Sequence, residues 1–354
     1  MKMTLHYLRL PLQHPFTIAR GTISDQQSLI VELEHDGLTG FGEVTENRFY
    51  GHSFESMTNS LRKVVAELSG YEATAPSEVW PAMLRRCDGD TFALSALDMA
   101  AHDLHGRRNQ QACWQNWNLD WKTVPPSSFT IGIDDVEVMI RKLQERPGWD
   151  VYKIKLGTDN DLQIVQQLRQ HTDAAFRVDV NCGWDVDQAI RNSAALADLG
   201  VEFLEQPLPL TAKESERARL FRESALPVIA DESCQGLGDV ENCRHFFHGV
   251  NVKLCKCGGL TPALIMLRQA RKLGLKTMIG CMVESSIGIS GAAQLLPLLD
   301  YADLDGAVLL QDEPCQGVVV DRGNVELADQ HGCGGSLNRQ RLSEFAVQES
   351  VVLT

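Results

Sequence analysis

Eight short apolar stretches recur along most of the chain at a nearly constant interval, and no other feature limits the fold so strongly. They are "SSFTIGI" near 130, "VYKIKL" near 154, "FRVDVN" near 179, "VEFLEQP" near 204, "LPVIADES" near 230, "GVNVKLC" near 252, "KTMIGCM" near 279 and "ADLDGAVLL" near 306. Their centres lie roughly 22 to 28 residues apart, and the stretches between them, such as "DLQIVQQLRQHT" and "TPALIMLRQARKLG", carry apolar residues at helical spacing. Eight strand-helix units predict a parallel β/α barrel, with a doubly wound open sheet as the structural alternative.

The first third of the chain has a different texture. "SLIVELEHDGLTGFGEVT" alternates apolar and polar residues about a turn at "HDG", which predicts an antiparallel hairpin. From about Phe54 to Arg108 the pattern is helical, and "TFALSALDMAAHDLHGRRN" predicts a packed helix in a small α+β unit. The change to barrel-like texture follows Pro125–Pro126, and the turn-rich "DRGNVELADQHGCGGSLNRQ" is expected to fold back onto the first unit.

With 354 residues, the chain is long enough for one large barrel and an accessory domain. A net charge of -14 argues against nonspecific binding to nucleic acid or anionic membranes. No apolar run approaches the roughly 18 residues that span a bilayer. The N-terminus lacks a signal-peptide core, and the chain's ten cysteines, from Cys87 to Cys333, are too scattered for a disulfide scaffold, so a cytoplasmic setting is expected. "CKC" at Cys255 and Cys257 has no second pair at zinc spacing and reads as buried small hydrophobes.

In a β/α barrel, chemistry sits at the C-terminal ends of the strands. Asp179, Glu205 and Asp231 end the third, fourth and fifth stretches, 26 and again 26 residues apart, so they share one level. Each alone would read as a helix cap or a solvated acid. Together they repel unless a cation neutralises them, and all-oxygen ligation favours Mg²⁺, with Mn²⁺ as the alternative. Asn181 and Glu232 read equally as supporting partners or as caps. On "KIK", Lys153 and Lys155 share a face of the second strand. Lys253 is placed on the sixth strand, across the barrel from them, and Lys256 is expected to point into the following loop.

The set "KIK", "DVN", "EQP", "ADES" and "NVKLCKCGG", in order at barrel spacing, resembles the enolase superfamily and within it the muconate-lactonising-enzyme subgroup. "GFGEV" and "ALSALDMAAHDLHGR" extend the resemblance to the first domain. It implies a modified TIM-type (β/α)7β barrel: an α+β capping domain over 1–122, the barrel over 123–312, and a C-terminal segment over 313–354 that returns to the capping domain. It further implies Asp179, Glu205 and Asp231 as Mg²⁺ ligands, and Lys155 and Lys253 as acid/bases. Lys153 would hold and neutralise the substrate carboxylate. Racemases, epimerases and cycloisomerases share this scaffold, so the fold leaves the reaction open.

The last stretch narrows it. Asp303 and Asp305 stand two apart, which puts them on one face of a strand, and two carboxylates suit a cationic group such as a free α-ammonium. "DLDG" resembles the D-x-D of dipeptide epimerases, which implies a dipeptide substrate inverted at its C-terminal α-carbon by two-base proton transfer through an enediolate. "FTIARGT" resembles the capping segment of L-Ala-D/L-Glu epimerases, so Arg20 is expected to bind an acidic side chain. Thr130 and the "CMVE" segment match substrate-lining positions, and Glu284 would disfavour an acidic side chain if it points inward. The expectation is therefore an Mg²⁺-dependent isomerase that recycles cell-wall peptide, with a small dipeptide as its partner and a homo-oligomer allowed. An N-acylamino-acid racemase, a muconate-type cycloisomerase or an o-succinylbenzoate synthase is the alternative, and a noncatalytic ligand-binding barrel is the reading from a different class.

Overall fold

The computed structural model describes residues 1–353. Apolar-polar alternation carries the first 45 residues into three antiparallel strands, β1 (Lys2–Ile18), β2 (Gly21–His35) and β3 (Leu38–Thr45). Asp36 and Gly37, both at positive φ, make the tight turn between β2 and β3. β1 accommodates Pro11 and Pro15 because its register with β2 shifts between Pro11 and Phe16.

Helices α1 (Phe54–Val64), α2 (Pro76–Arg86) and α3 (Thr91–Asn109) pack on this sheet. Asp90 starts α3 by accepting from the Ala93 amide at 3.0 Å. Gly40 and Gly42 face α3, where a Cβ would overlap the carbonyl oxygens of Ala100 and Ala96. Sheet and helix backbones therefore touch with no side chain between them.

The barrel then runs β4 (Phe129–Ile131), α4 (Val136–Glu145), β5 (Val151–Lys155), α5 (Asp161–Arg169), β6 (Ala175–Asp179), α6 (Val186–Asp198), β7 (Val201–Glu205) and α7 (Glu214–Glu223). It continues through β8 (Val228–Ala230), α8 (Asp239–Cys243), β9 (Gly249–Val252), α9 (Leu260–Lys272), β10 (Lys276–Gly280), α10 (Ser286–Ala293) and β11 (Tyr301–Asp303). The eight strands pair in parallel in chain order, and the Ser128 amide donates to Ala302 O at 3.1 Å across the remaining gap. This is a nearly closed barrel with seven helices between eight strands, not an open sheet. Phe203 and Met278, two residues before the ends of their strands, and Ile229, one before the end of β8, form a buried apolar cluster. The C-terminal strand Val351–Leu353 pairs with β1 and adds a fourth strand to the capping sheet.

Two elements stop earlier than expected. β11 ends at Asp303, and Gly306–Leu309 forms a 3₁₀ turn, so Asp305 lies past the strand rather than on it. β9 ends at Val252, which makes Lys253 the extended residue before a helical turn, Leu254–Cys257.

Gly42→Ala forces a Cβ into the α3 backbone and should destabilise the protein by about 1–3 kcal/mol. Thermal denaturation tests this, and a midpoint equal to that of the parent protein would contradict direct contact between β3 and α3.

Candidate active site

Parallel pairing brings the strand ends to one level. Lys155 pairs in register with Asp179, and Asp179 with Glu205, while Asp231 follows β8 by one residue. One oxygen from each of Asp179, Glu205 and Asp231 lies within 4.8 Å of the others, and all three side chains are buried. Four ammonium groups surround them. Lys155 Nζ lies 2.6 Å from Asp179 Oδ2, and Lys253 Nζ lies 3.0 Å from Asp231 Oδ2. Lys153 Nζ sits between Glu205 Oε2 at 2.8 Å, Asp303 Oδ2 at 2.8 Å and Asp179 Oδ2 at 3.2 Å. Three carboxylates thus surround the ammonium of Lys153, which is 1% exposed.

The fourth ammonium belongs to Lys256, which does not point into the loop. It is the third residue of a helical turn, and that turn carries it back into the barrel. There it donates to Asp231 Oδ1 and Asp231 O, both at 2.5 Å, and to Cys234 O at 3.0 Å.

The charges nearly balance. Asp179, Glu205, Asp231, Glu232, Asp303 and Asp305 make six carboxyl groups, against the five cations Lys153, Lys155, Lys253, Lys256 and Arg20. The excess shows in the titration. Burial, then the repulsion of Asp179, pushes Glu205 up to about 7. Burial also opposes ionisation of Asp231, but Lys253 and Lys256 outweigh it and hold that carboxyl well below its ordinary value. Burial favours neutral Lys253, yet Asp231 outweighs it and raises that pKa well above the usual lysine range.

A divalent cation fits this donor set. Glu205 Oε2, Asn181 Oδ1, Glu232 Oε2 and Asn251 Oδ1 are buried and accept no hydrogen bond. All are oxygens, one on the triad itself and three on residues beside it. Lys153 approaches Glu205 Oε2 as an ion pair without hydrogen-bond alignment. Such orphaned acceptors are costly in a protein interior and suit a hard cation with its water.

The mouth is built from both domains. Asp303 Oδ1 accepts from Ser128 Oγ at 2.8 Å and from Thr130 Oγ1 at 3.3 Å. Asp305 Oδ2 accepts from the Thr130 amide at 2.5 Å, and burial followed by the charge of Asp303 pushes Asp305 up to about 7. Arg20 lies at the tip of the β1–β2 hairpin, where Thr17 O accepts from the Ile133 amide of the barrel at 2.8 Å. Its guanidinium donates to Glu232 Oε1 at 2.6 Å and stacks 4.2 Å over Phe49. Glu284 is buried, accepts from the Met282 amide at 2.9 Å, and is pushed up to about 8 by burial and then by Glu43. Cys255 packs in the capping-domain core and Cys257 in the barrel core.

The sequence reading misplaced Lys256 and passed over Gln206 and Asn251. Gln206 Oε1 accepts from the Asp231 and Ser233 amides at 3.1 and 3.0 Å, and its backbone is left-handed at φ 39°. Asn251 donates to Glu205 Oε1 at 2.7 Å. The one available signal was position, since Gln206 follows a triad carboxylate and Asn251 stands two residues before Lys253.

Residues 2–116 match the family model for the mandelate racemase / muconate lactonizing enzyme N-terminal domain, and residues 135–341 match the enolase C-terminal domain-like model. This chain belongs to the enolase superfamily. Within it, the chain falls in the muconate-lactonising subgroup, close to the dipeptide epimerases. An L-Ala-D/L-amino acid epimerase of Flavobacterium johnsoniae is 47% identical over 95% of this chain and 100% of its own length. An L-Ala-D/L-Glu epimerase of Bacteroides thetaiotaomicron is 37% identical over 94% of this chain and 87% of its own. The structure of a dipeptide epimerase from Enterococcus faecalis with Mg and L-Leu-L-Tyr has 29% identity and a TM-score of 0.86, covering 95% of this chain and 99% of that one. The chain is an isomerase of the racemase and epimerase class that acts on small carboxylate substrates, with a carboxylate triad able to bind a divalent metal. Among the described residues no helix is long and apolar enough to cross a membrane.

Glu205 and Glu284 have folded values of about 7 and about 8, above the ordinary 4.5. Their contribution to stability is full below the ordinary value and is lost as pH rises through the folded values. Metal-free protein should therefore denature at a lower temperature at about pH 8.5 than at about pH 6. Mg²⁺ should raise the midpoint more at the higher pH, where Glu205 need not shed a proton to bind. A metal-free midpoint that rises over this interval would refute the raised values of Glu205 and Glu284.

Proposed function

We propose that the protein is an Mg²⁺-dependent dipeptide epimerase that inverts the α-carbon of the C-terminal residue by two-base proton transfer. The observation that carries this reading is the placement of Lys155 and Lys253. Lys155 ends β5 and Lys253 follows β9, four strands apart in an eight-stranded barrel, and each ammonium reaches a different end of the triad.

Asp179, Glu205 and Asp231 would hold the ion, whose positive charge makes a proton beside a carboxylate removable. Lys155 takes the α-proton from one face, and Lys253 returns a proton to the other. Their roles exchange for the opposite isomer. Lys153 stays charged inside the carboxylate cluster and contributes positive potential there. Asp303 and Asp305, set by Ser128 and Thr130, would receive the α-ammonium of the N-terminal residue. An N-acylated substrate has no such charge, which disfavours the racemase alternative.

Arg20 refines the side-chain preference. Its guanidinium already meets Glu232, so an acidic side chain must share or displace that partner, while an uncharged one can lie along Phe49. We read the substrates as L-Ala dipeptides that include L-Ala-D/L-Glu, with Glu232 moderating selectivity for glutamate. A part in recycling cell-wall peptide follows from that substrate.

Incubation with Mg²⁺ and L,L-dipeptides in D₂O should give deuterium uptake together with the second diastereomer. The reading fails if no dipeptide exchanges. Lys155→Ala and Lys253→Ala should each slow α-proton removal from a different diastereomer, by roughly 10²- to 10⁴-fold. Equal losses on both isomers would exclude opposite-face bases. Glu232→Gln should raise kcat/KM for L-Ala-L-Glu relative to L-Ala-L-Leu by about tenfold, the scale of one charged hydrogen bond. An unchanged ratio would remove Arg20 from side-chain selection.

A further inference from the structure

The turn after β9 carries two of the four buried lysines; Lys256 ties it to Asp231 and Cys234 of the barrel, and its other side-chain anchors belong to the other domain. Lys253 O accepts from the Lys256 and Cys257 amides at 3.1 and 3.2 Å, so the turn begins on the residue that bears the proposed base. It ends at Gly258 and Gly259, with φ of 98° and 118°. Trp80, on α2 of the capping domain, donates its indole N–H to Gly258 O at 2.8 Å. Its ring lies so close that a Cβ on Gly258 would sit 3.2 Å from it.

Gly259 occupies the N-cap position of α9 and has no side chain to satisfy that helix's first amides. Asp98, on α3 of the capping domain, does so instead. It accepts from the Thr261 amide and from Thr261 Oγ1, both at 2.8 Å. Because that hydroxyl gives its proton to Asp98, it accepts from His102 Nε2 at 2.9 Å. A Cβ on Gly259 would lie 2.5 Å from Asp98 Oδ2, so the glycine is what lets the carboxylate reach the helix end. Cys255, within the turn, packs in the capping-domain core.

Lys155 is placed differently. It lies inside the β5–β6 ladder, in register with Asp179, and the next amide, Leu156, donates to Asp179 O at 2.9 Å. Barrel pairing alone accounts for its position.

We propose that Trp80 and Asp98 are positioning residues for Lys253, so that the capping domain sets the location of one of the two proton carriers and leaves the other to the barrel. Both side chains are buried and their hydrogen bonds go to Gly258 and Thr261, so they act through the 253–261 segment. The proposal rests on the two-base reading given above. It predicts an effect confined to one stereoisomer, which a general loss of stability would not produce.

Trp80→Phe keeps an aromatic ring and removes the donor, while Asp98→Asn keeps an acceptor and removes the charge. Deuterium uptake at the α-carbon is measured separately from each diastereomer of one dipeptide, with Lys253→Ala identifying the isomer that depends on Lys253. Exchange from that isomer should fall by about tenfold to a hundredfold in each variant. Exchange from the other should stay within about twofold, and amides of residues 254–261 should exchange with solvent faster than in the parent protein. Equal slowing of both isomers, or of neither, overturns the proposal. If Asp98→Asn does not fold, Trp80→Phe alone decides. If the parent protein exchanges no dipeptide, the two-base reading fails by itself. Backbone exchange then decides the positioning claim: unchanged protection of 254–261 in a folded variant overturns it, and a loss confined to that segment supports it.

Discussion

Three carboxylates buried at one level of a barrel cannot all stay ionised unless positive charge is brought to them. Each desolvated ion costs several kcal/mol unless its partners compensate. Lys153, Lys155, Lys253 and Lys256 supply that compensation from two strand segments, one a ladder and the other a turn. One formal negative charge remains when Arg20 and the neighbouring carboxyls are counted. A divalent cation turns that deficit into one positive charge, which suits a substrate carboxylate. The same ion would draw carboxylate charge away from Lys253, whose pKa Asp231 otherwise holds high. A lysine that must give up a proton to act as base therefore depends on the filled triad.

The barrel and the capping domain divide the work of placement. Parallel pairing aligns Lys155, Asp179 and Glu205 by register alone. The mouth needs more than strands. The β1–β2 hairpin sets Arg20 against Glu232, α2 and α3 grip the turn that follows Lys253, and Thr130 on β4 orients Asp303 and Asp305. The return of the C-terminal strand to β1 closes the chain over both units. The substrate site thus has walls from elements that are distant in sequence, which is where specificity can vary while the chemistry stays in place.

Much of the charged layer at the strand ends was legible because a β/α unit has a nearly fixed length. Equal spacing of Asp179, Glu205 and Asp231 is what equal units produce, and the period-two spacing of Lys153 and Lys155 survives because β5 runs straight through both. The same rule misplaced Asp305, since β11 ends at Asp303 and a 3₁₀ turn begins. It also misplaced Lys256, because a single helical turn after Lys253 folds the third residue back into the barrel. Local sequence marks a turn at Asp305–Gly306 but not where the strand before it stops, because packing decides where a short strand ends.

By itself the sequence determined the architecture, the carboxylate layer able to hold a divalent metal and the lysines proposed as proton carriers, because each depends on periodicity along one chain. The tertiary structure alone decided which charges meet. Arg20 and Glu232 are 212 residues apart, Asp98 and Thr261 are 163 apart, and Lys153 and Asp303 are 150 apart. No repeat links such pairs. They form only when two domains and a nearly closed barrel bring their surfaces together, and their distances then set the charge on each group.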